Sequence, residues 1–298
     1  MEKEEITKAT FKTVSRITFG TLITNLCLAI GKLLGGIFGL SSALISDSIN
    51  SFGDVFTSII SLFGNKLASK PIDKDHQYGH EKIENIAIVI FEMIVIFSIS
   101  IMGYNAIYSL ATGEYLTTRI PELIAIIVAG CCIFVKLVLF SITFISYKKN
   151  KSSMLQAASL DHILDSIGTS ISLIGISIAY AFDIKWLDDA ISIVITIMVI
   201  VGALKVLYKN VLLVTDECWD EEHTNAITKK VEDIEKVIAI DSLKTRMFGD
   251  RVYVDIEVQM DKNLTLEESH KVAEIIEISV EELYYEIIHV NVHVNPSL

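Results

Sequence analysis

Long apolar segments, separated by short polar ones, make up the first two thirds of the chain. Six can be distinguished, and each is close to the ~20 residues that a helix needs to cross a bilayer. They cover residues 14–38, 42–65, 84–110, 121–147, 154–181 and 186–208. Because a chain in lipid must satisfy its backbone hydrogen bonds internally, these segments predict six transmembrane helices.

After Lys209 the pattern becomes that of a small folded domain outside the membrane. Helix, strand, strand, helix and strand are predicted at residues 221–236, 238–245, 252–260, 266–285 and 288–294. Thr265 and Glu268 form a capping box at the start of the second helix. The order αββαβ predicts an α+β domain with one antiparallel or mixed sheet and helices on one face. We therefore expect a transmembrane domain at residues 1–209 and a cytoplasmic domain at residues 210–298.

Composition and charge agree with this division. Hydrophobic residues make up 51% of the chain, and the mean hydropathy of +0.51 is that of an integral membrane protein. The net charge of −12 comes entirely from the part after Lys209, which has 20 acidic and 8 basic residues, against 17 of each before it. An acidic domain of this kind argues against nucleic acid as a partner. The four cysteines predict neither a disulfide framework nor a thiolate metal site.

Basic residues are concentrated in alternate loops. The loops after the second and fourth segments carry Lys66, Lys70, Lys74, Lys82, Lys148, Lys149 and Lys151. The loops on the other side carry only Arg119 and Lys185. By the positive-inside rule the lysine-rich loops are cytoplasmic, and so are both termini. The expected location is the cell membrane.

Side chains with oxygen donors occur at a four-residue spacing in two of the apolar segments. Asp161 and Asp165 lie near the start of the fifth, and Asn50 and Asp54 lie in the second. Each pair shares one helix face, and Asp47 lies on nearly the same face as Asn50. Since an ionised side chain at membrane depth costs roughly 3 kcal/mol on insertion scales, these groups need a compensating partner. Facing each other, the two pairs would form a cage of four oxygen ligands for a divalent cation.

Explanations that need no metal remain open at this point for the acids of the fifth segment and for the loop before the third. The acids of the fifth segment could pair with intramembrane lysines instead of binding a metal. For the other deep charges, Glu92 and Lys136, we expect an ion pair between helices. The loop at residues 73–82 contains many groups that could bind a metal, but it could equally be a solvated charged loop.

Three stretches of the chain resemble motifs of the cation diffusion facilitator family. They are Ser46–Asp54 in the second segment, Asp75–Glu84 in the following loop and Asp161–Asp165 in the fifth segment. The resemblance covers nearly the whole chain. It implies a transporter rather than an enzyme, with six spans and a metallochaperone-like, ferredoxin-like tail. It also implies a homodimer without a cofactor that exports divalent metals from the cytoplasm in exchange for protons.

By this resemblance the transport site falls on Asn50, Asp54, Asp161 and Asp165. Zinc-transporting members usually have His or Asp where this chain has Asn50, and His where it has Asp161. The departure is similar to the manganese-type branch. An amide oxygen and three carboxylates also suit Mn²⁺, whereas Zn²⁺ is held best by imidazole or thiolate.

The resemblance implies three further features. A secondary loop site falls on Asp73, His76 and His80. Metal-ligand positions of the tail fall on Asp241, Glu257, His270, His293 and Asn295. Lys82 and Asp216 match a charge pair that interlocks the dimer between membrane and tail.

The favoured function is Mn²⁺ export, with a Zn²⁺, Fe²⁺ or Cd²⁺ exporter of the same family as the alternative. Proton exchange is expected because carboxylates must lose their protons to bind a metal. An intramembrane aspartyl protease would need a Gly-x-Gly-Asp context, and Phe52-Gly53-Asp54 lacks the first glycine. A passive cation channel would be distinguished by metal flux that does not move protons.

Overall fold

A computed structural model describes residues 2–68, 73–74, 76, 80, 82–117, 120–150, 153–248 and 251–297. Side chains are described over the same ranges except residues 2–15, 61–68, 150, 153–154 and 157. Several residues used in the sequence analysis lie outside the described part: Lys70, Asp75, Arg119 and Lys151 altogether, and Lys66 for its side chain.

Each of the six apolar segments forms one helix. They are α1 (Glu2–Phe38), α2 (Ser42–Ala68), α3 (Lys82–Thr112), α4 (Leu123–Asn150), α5 (Ser153–Phe182) and α6 (Trp186–Val214). Among the described residues, five of these helices are long and apolar enough to cross a membrane, and α2 is the exception. The polar side chains of α2, among them Asp47, Asn50 and Asp54, make its composition less apolar.

Three of these helices are followed by a residue in the left-handed backbone conformation. Leu40 follows α1 with φ 52°, Asp183 follows α5 with φ 56° and Asp216 follows α6 with φ 62°. This conformation is a common way to end a helix, because it turns the chain back towards the last free carbonyl groups. The sharp stops allow short connections between α1 and α2 and between α5 and α6.

The chain divides into two compact units, of which the first contains Met1–Phe63 and Ile88–Leu207. Its surface is strongly apolar, with Phe97 70% exposed and Phe134 69% exposed. Its interior holds charged groups, since Lys32 is 0% exposed and Lys136 is 1% exposed. This distribution is the reverse of that in a soluble protein and fits helices surrounded by lipid.

Close packing brings the helices of this unit together at small residues. A Cβ added at Gly35 of α1 would lie 2.7 Å from the side chain of Val128 in α4. One added at Gly175 of α5 would lie 2.4 Å from that of Ile191 in α6. Such contacts are typical of membrane helices, which associate through close backbone approach.

The second unit contains Gly64–Ala87 and Tyr208–Leu298. After Lys209 its elements are α7 (Glu221–Glu232), β1 (Ala239–Phe248), β2 (Arg251–Met260), α8 (Leu266–Glu281) and β3 (Ile287–Pro296). The predicted order αββαβ is confirmed. The strands lie in the order β1-β2-β3, with β1 antiparallel and β3 parallel to β2. The sheet is therefore mixed, and α8 provides the crossover that a parallel pair requires.

Helices cover one face of this sheet. Val254, Ile256 and Val258 of β2 are buried in a core that also contains Val272 and Ile276 of α8. The intervening polar residues of β2 lie on the opposite face, because successive side chains of a strand alternate. That face is not covered by any described helix of the unit.

The predicted capping box is present at α8. The Thr265 hydroxyl accepts a hydrogen bond from the Glu268 backbone N–H, and the Glu268 carboxylate accepts one from the Thr265 backbone N–H. The latter bond, followed by one from the Thr265 hydroxyl, lowers the pKa of Glu268. α8 ends at Glu281, four residues earlier than the sequence predicted.

Candidate metal transport site

Three aspartates of the predicted transport site come together between α2 and α5. Asp54 of α2 interacts directly with Asp165 of α5, and Asp161 lies within electrostatic range of both. Asp161 and Asp165 are one turn apart on α5. The two helices therefore face each other through the carboxylates at the four-residue spacing.

These groups differ in accessibility. Asp54 and Asp161 are exposed, whereas Asp165 and Asn50 are partly buried. Asn50 lies one turn before Asp54 and therefore on the same side of α2. The role of Asn50 as a fourth ligand stays a prediction.

The sequence analysis assigned the wrong ion-pair partner to Lys136 of α4. Its ammonium group contacts the Asp165 carboxylate and donates a hydrogen bond to Asn25 Oδ1 at 3.0 Å. The expected ion pair with Glu92 is wrong, because Glu92 instead accepts a hydrogen bond from the Thr57 hydroxyl at 3.3 Å. The alternative that an acid of the fifth segment pairs with an intramembrane lysine is realised at Asp165.

The spacing along the chain could have revealed this pair. Lys136 lies 14 residues before the end of α4, and Asp165 lies 12 residues after the start of α5. Consecutive helices joined by a short turn pack antiparallel, so the two residues lie at nearly the same depth. Extensive packing of α4 against α5 agrees with this.

Lys32 of α1 forms a second cluster, with Asp165 within its electrostatic range. Its ammonium group lies 2.9 Å from Asp47 Oδ2 and donates to Ser51 Oγ at 2.9 Å and to Thr169 Oγ1 at 2.7 Å. These contacts join α1, α2 and α5. Asp47 was an alternative ligand for the transported metal, but its ion pair with Lys32 favours Asn50 for that role.

His162 was not singled out by the sequence analysis. It is buried, and neither ring nitrogen has a hydrogen-bond partner among the described residues. Lys136 and Asp165 lie within its electrostatic range. A histidine next to Asp161 in the sequence is the signal that could have drawn attention to it.

Asp73, His76 and His80 meet in the loop before α3, and their potential ligand atoms all lie within 4.8 Å of one another. His80 Nε2 is 3.1 Å from Asp73 Oδ2, and His76 Nδ1 is 3.3 Å from Asp73 Oδ1. Among the described side chains, this is the one group of three or more His, Cys, Asp or Glu residues that meets this closely. The aspartates of the transport site are more widely spread.

The five residues of the tail that the resemblance assigned as metal ligands fall into two groups. Glu257 of β2 lies directly opposite His293 of β3. Asp241 of β1 accepts hydrogen bonds from Gln259 at 2.5 Å and from Asn295 at 2.9 Å. These residues belong to the open face of the sheet, where Glu257 and His293 help to line a cavity of about 240 Å³.

The fifth tail position does not join this group within the chain. His270 is exposed and lies on α8, whose apolar side packs against the opposite face of the sheet. A tail site that uses all five positions is therefore not assembled by one chain. Of the five positions, the open face carries one imidazole (His293), two carboxylates (Asp241 and Glu257) and one amide (Asn295).

Lys82 and Asp216 are in contact within one chain, and their role at the dimer junction stays a prediction. Lys82 Nζ lies 2.7 Å from Asp216 Oδ1 and donates to the Val214 carbonyl oxygen at 3.1 Å. The same ammonium group lies 4.6 Å from the centroid of the Phe248 ring. Lys82 thereby links the start of α3 to the end of α6 and to the end of β1.

Comparison with known proteins shows the family of the chain. The cation efflux transmembrane domain matches residues 19–214, and the cytoplasmic domain of cation efflux proteins matches residues 219–297. The chain belongs to the cation efflux family. Its members are metal transporters rather than enzymes, which confirms the resemblance inferred from the motifs and excludes the intramembrane protease.

Two curated relatives of this cation efflux protein come from Bacillus subtilis (strain 168). Manganese efflux system protein MneS is 29% identical, and the match covers 93% of this chain and 93% of MneS. Manganese efflux system protein MneP is 26% identical, covering 99% of this chain and 98% of MneP. Among solved structures, a nickel form of the MamM CTD is 22% identical with a TM-score of 0.26, and it covers 26% of this chain and 100% of that one.

Proposed function

We propose that this cation efflux protein exports Mn²⁺ from the cytoplasm in exchange for protons. The observation that carries the proposal is the approach of Asp54, Asp161 and Asp165 across α2 and α5. Asn50, one turn before Asp54, supplies the fourth oxygen. A group of carboxylates, two of them exposed, in a unit with an apolar surface is the arrangement expected of an ion pathway.

The choice of metal follows from the ligand atoms. An amide oxygen and three carboxylate oxygens suit Mn²⁺ better than Zn²⁺, which prefers nitrogen or sulfur. The names of MneS and MneP as manganese efflux proteins support the same choice. Export of Zn²⁺, Fe²⁺ or Cd²⁺ is the alternative.

Coupling to protons follows from the same residues. A carboxylate binds a metal only without its proton, so metal and protons are alternate occupants of the site. Movement of the helices would then expose the site to one side of the membrane at a time.

We infer six spans, with α2 as the sixth. Its 27 residues extend over about 40 Å at 1.5 Å per residue, which exceeds the ~30 Å hydrocarbon core. Its polar side faces the carboxylates of α5. With the lysine-rich loops on the cytoplasmic side, both termini are cytoplasmic. Along the chain, the boundary between the transmembrane and cytoplasmic domains lies between residues 209 and 210.

We further propose that Asp73, His76 and His80 hold a second metal ion. Two imidazoles and a carboxylate form a ligand set that suits Zn²⁺ as well as Mn²⁺. A tail site built from Asp241, Glu257, His270 and His293 would need His270 from another chain, in keeping with a homodimer. Its Glu and Asp positions make it a weaker zinc site than one built from histidines.

The experiment that tests this function uses the purified protein in liposomes. Uptake of Mn²⁺ and of Zn²⁺ is followed together with the internal pH. The proposal predicts faster flux of Mn²⁺, proton movement in the opposite direction, and loss of both in Asp54→Ala. Metal flux without proton movement would indicate a passive channel, and preferred Zn²⁺ flux would indicate the alternative metal.

A further inference from the structure

Lys136 is a buried positive charge within the proposed transport site. We propose that Lys136 is an internal counter-ion that weakens divalent metal binding, so that the site can release its ion. This inference rests on the proposed function, because it takes Asp54, Asp161 and Asp165 as the transport site. It assigns a role in metal affinity to a residue outside the set of oxygen ligands.

The contacts of Lys136 place its charge at the site. The ammonium group contacts the carboxylate of Asp165 and lies within electrostatic range of Asp54 and Asp161. It is held from the other side by the amide oxygen of Asn25 in α1 at 3.0 Å. With 1% of the residue exposed, Lys136 has little access to water that could screen its charge.

The charge at the site then matches a divalent ion. Three ionised carboxylates and one ammonium group leave a formal charge of −2, which one divalent cation neutralises. Whichever oxygen of Asp165 the metal takes, it must approach the positive charge of Lys136. Repulsion between them is strong in a poorly screened interior, so metal binding is weaker than the three carboxylates alone would give.

Weaker binding has a use in a transporter. An ion held by three carboxylates without a counter-charge would leave the site slowly, and slow release limits turnover. Removal of the charge of Lys136 should therefore lower both the KM for Mn²⁺ and kcat. A purely structural role for Lys136 would not predict tighter metal binding.

Lys32 provides the matched control. It is also a buried lysine that pairs with an aspartate of the same unit. Its hydrogen bonds go to two hydroxyl groups and its aspartate is not part of the proposed transport site, although Asp165 lies within its electrostatic range. Loss of its charge should affect folding and should tighten Mn²⁺ binding less than loss of the charge of Lys136, which contacts Asp165 directly.

The test measures the Kd of the full-length protein for Mn²⁺ by calorimetry. All variants carry His76→Ala and His80→Ala to remove the loop site. Asp54→Ala in this background measures the Mn²⁺ binding that occurs outside the transport site. Lys136→Met and Lys136→Gln should bind Mn²⁺ about tenfold more tightly or better. Lys136→Arg, which keeps the charge, should remain within about threefold of the unmodified residue.

An unchanged or weaker Kd in Lys136→Gln would overturn the inference, and so would equal tightening in Lys32→Met. Lys136→Gln can still donate a hydrogen bond to Asn25 or Asp165, so it serves if Lys136→Met does not fold. Size-exclusion chromatography and thermal unfolding verify the fold of each variant. Absence of Asp54-dependent Mn²⁺ binding with Lys136 intact would instead contradict the proposed function itself.

Discussion

Two buried lysine–aspartate pairs lie in the same membrane unit, and they differ in the charge around them. The pair of Lys32 and Asp47 is closed, with side chains that are 0% and 6% exposed. Hydroxyl groups accept the remaining hydrogen bonds of Lys32, so the two contacting charges balance each other, with Asp165 farther away but within electrostatic range. The pair of Lys136 and Asp165 has two further aspartates nearby, both exposed, so negative charge is in excess.

The comparison shows that an intramembrane ion pair does not by itself indicate a structural or a functional role. The balanced cluster has no need of an ion, because each charge already has its partner. The unbalanced cluster retains carboxylates that require a cation, a proton or water. Excess charge and access to the outside are therefore the criteria that separate the two.

The largest effect, a loss of stability, is expected when Asp47 is removed from the balanced cluster. Asp47→Ala leaves the ammonium group of Lys32 buried without its counter-charge, which typically costs about 3–5 kcal/mol. Denaturant unfolding in detergent should show this loss, while Mn²⁺ flux per folded molecule stays at the wild-type level. If Asp47→Ala had wild-type stability but no Mn²⁺ flux, Asp47 would be a metal ligand, and the two clusters would not differ in role.

The next effect comes from the unbalanced cluster. Asp54→Ala and Asp161→Ala should reduce Mn²⁺ flux by about a hundredfold or more, since even outer-shell partners of metal sites contribute 10–100-fold. Both residues are exposed, so the loss of stability should be small. As a control, Glu92→Gln keeps its contact with Thr57 and should retain flux within about twofold. Normal flux in Asp54→Ala would place the transport path elsewhere.

A smaller change concerns which metal the unbalanced cluster prefers. Asn50→His exchanges an amide oxygen for an imidazole nitrogen, which Zn²⁺ favours. The ratio of Zn²⁺ to Mn²⁺ flux in matched liposomes should rise by about tenfold, equivalent to about 1.4 kcal/mol. Full conversion is not expected, because Asp161 remains a carboxylate. An active variant with an unchanged ratio would show that Asn50 does not contact the ion.

The smallest effect is expected for Lys82 and Asp216, a third lysine–aspartate pair that lies near the surface. A double-mutant cycle with Lys82→Met and Asp216→Asn should give a coupling energy of about 0–1 kcal/mol. Asparagine is chosen because it tolerates the left-handed backbone of residue 216. Dimer dissociation should respond more than unfolding if the pair orients the dimer. A coupling energy as large as that of a buried ion pair would contradict the expectation that this pair contributes least.

The sequence was sufficient to predict the helices, the αββαβ order and the approach of α2 to α5. Hydrophobic periodicity indicates the elements, and the four-residue spacing that Asn50–Asp54 and Asp161–Asp165 share indicates which helix faces meet. The close group of Asp73, His76 and His80 followed from family resemblance.

Other features depend on packing that periodicity does not encode. Lys136 could reach acids on several helices, and hydrophobic periodicity does not choose between them; counting residues from the turn between α4 and α5 gives the relative depth that selects Asp165 over Glu92. The location of His270 on the helical layer depends on which face of the sheet α8 covers. The pair of Lys32 and Asp47 likewise requires α1 to pack beside α2.

The central claim is that Mn²⁺ binds to Asn50, Asp54, Asp161 and Asp165. Pulsed electron paramagnetic resonance of bound Mn²⁺ tests it most directly, because coupling to an imidazole nitrogen identifies a histidine ligand. With His76, His80, His270 and His293 replaced by alanine to remove the loop and tail sites, the account predicts a bound Mn²⁺ that shows no imidazole coupling and is lost in Asp54→Ala. Imidazole coupling that persists without Asp54 would contradict the claim and indicate that the ion is bound elsewhere.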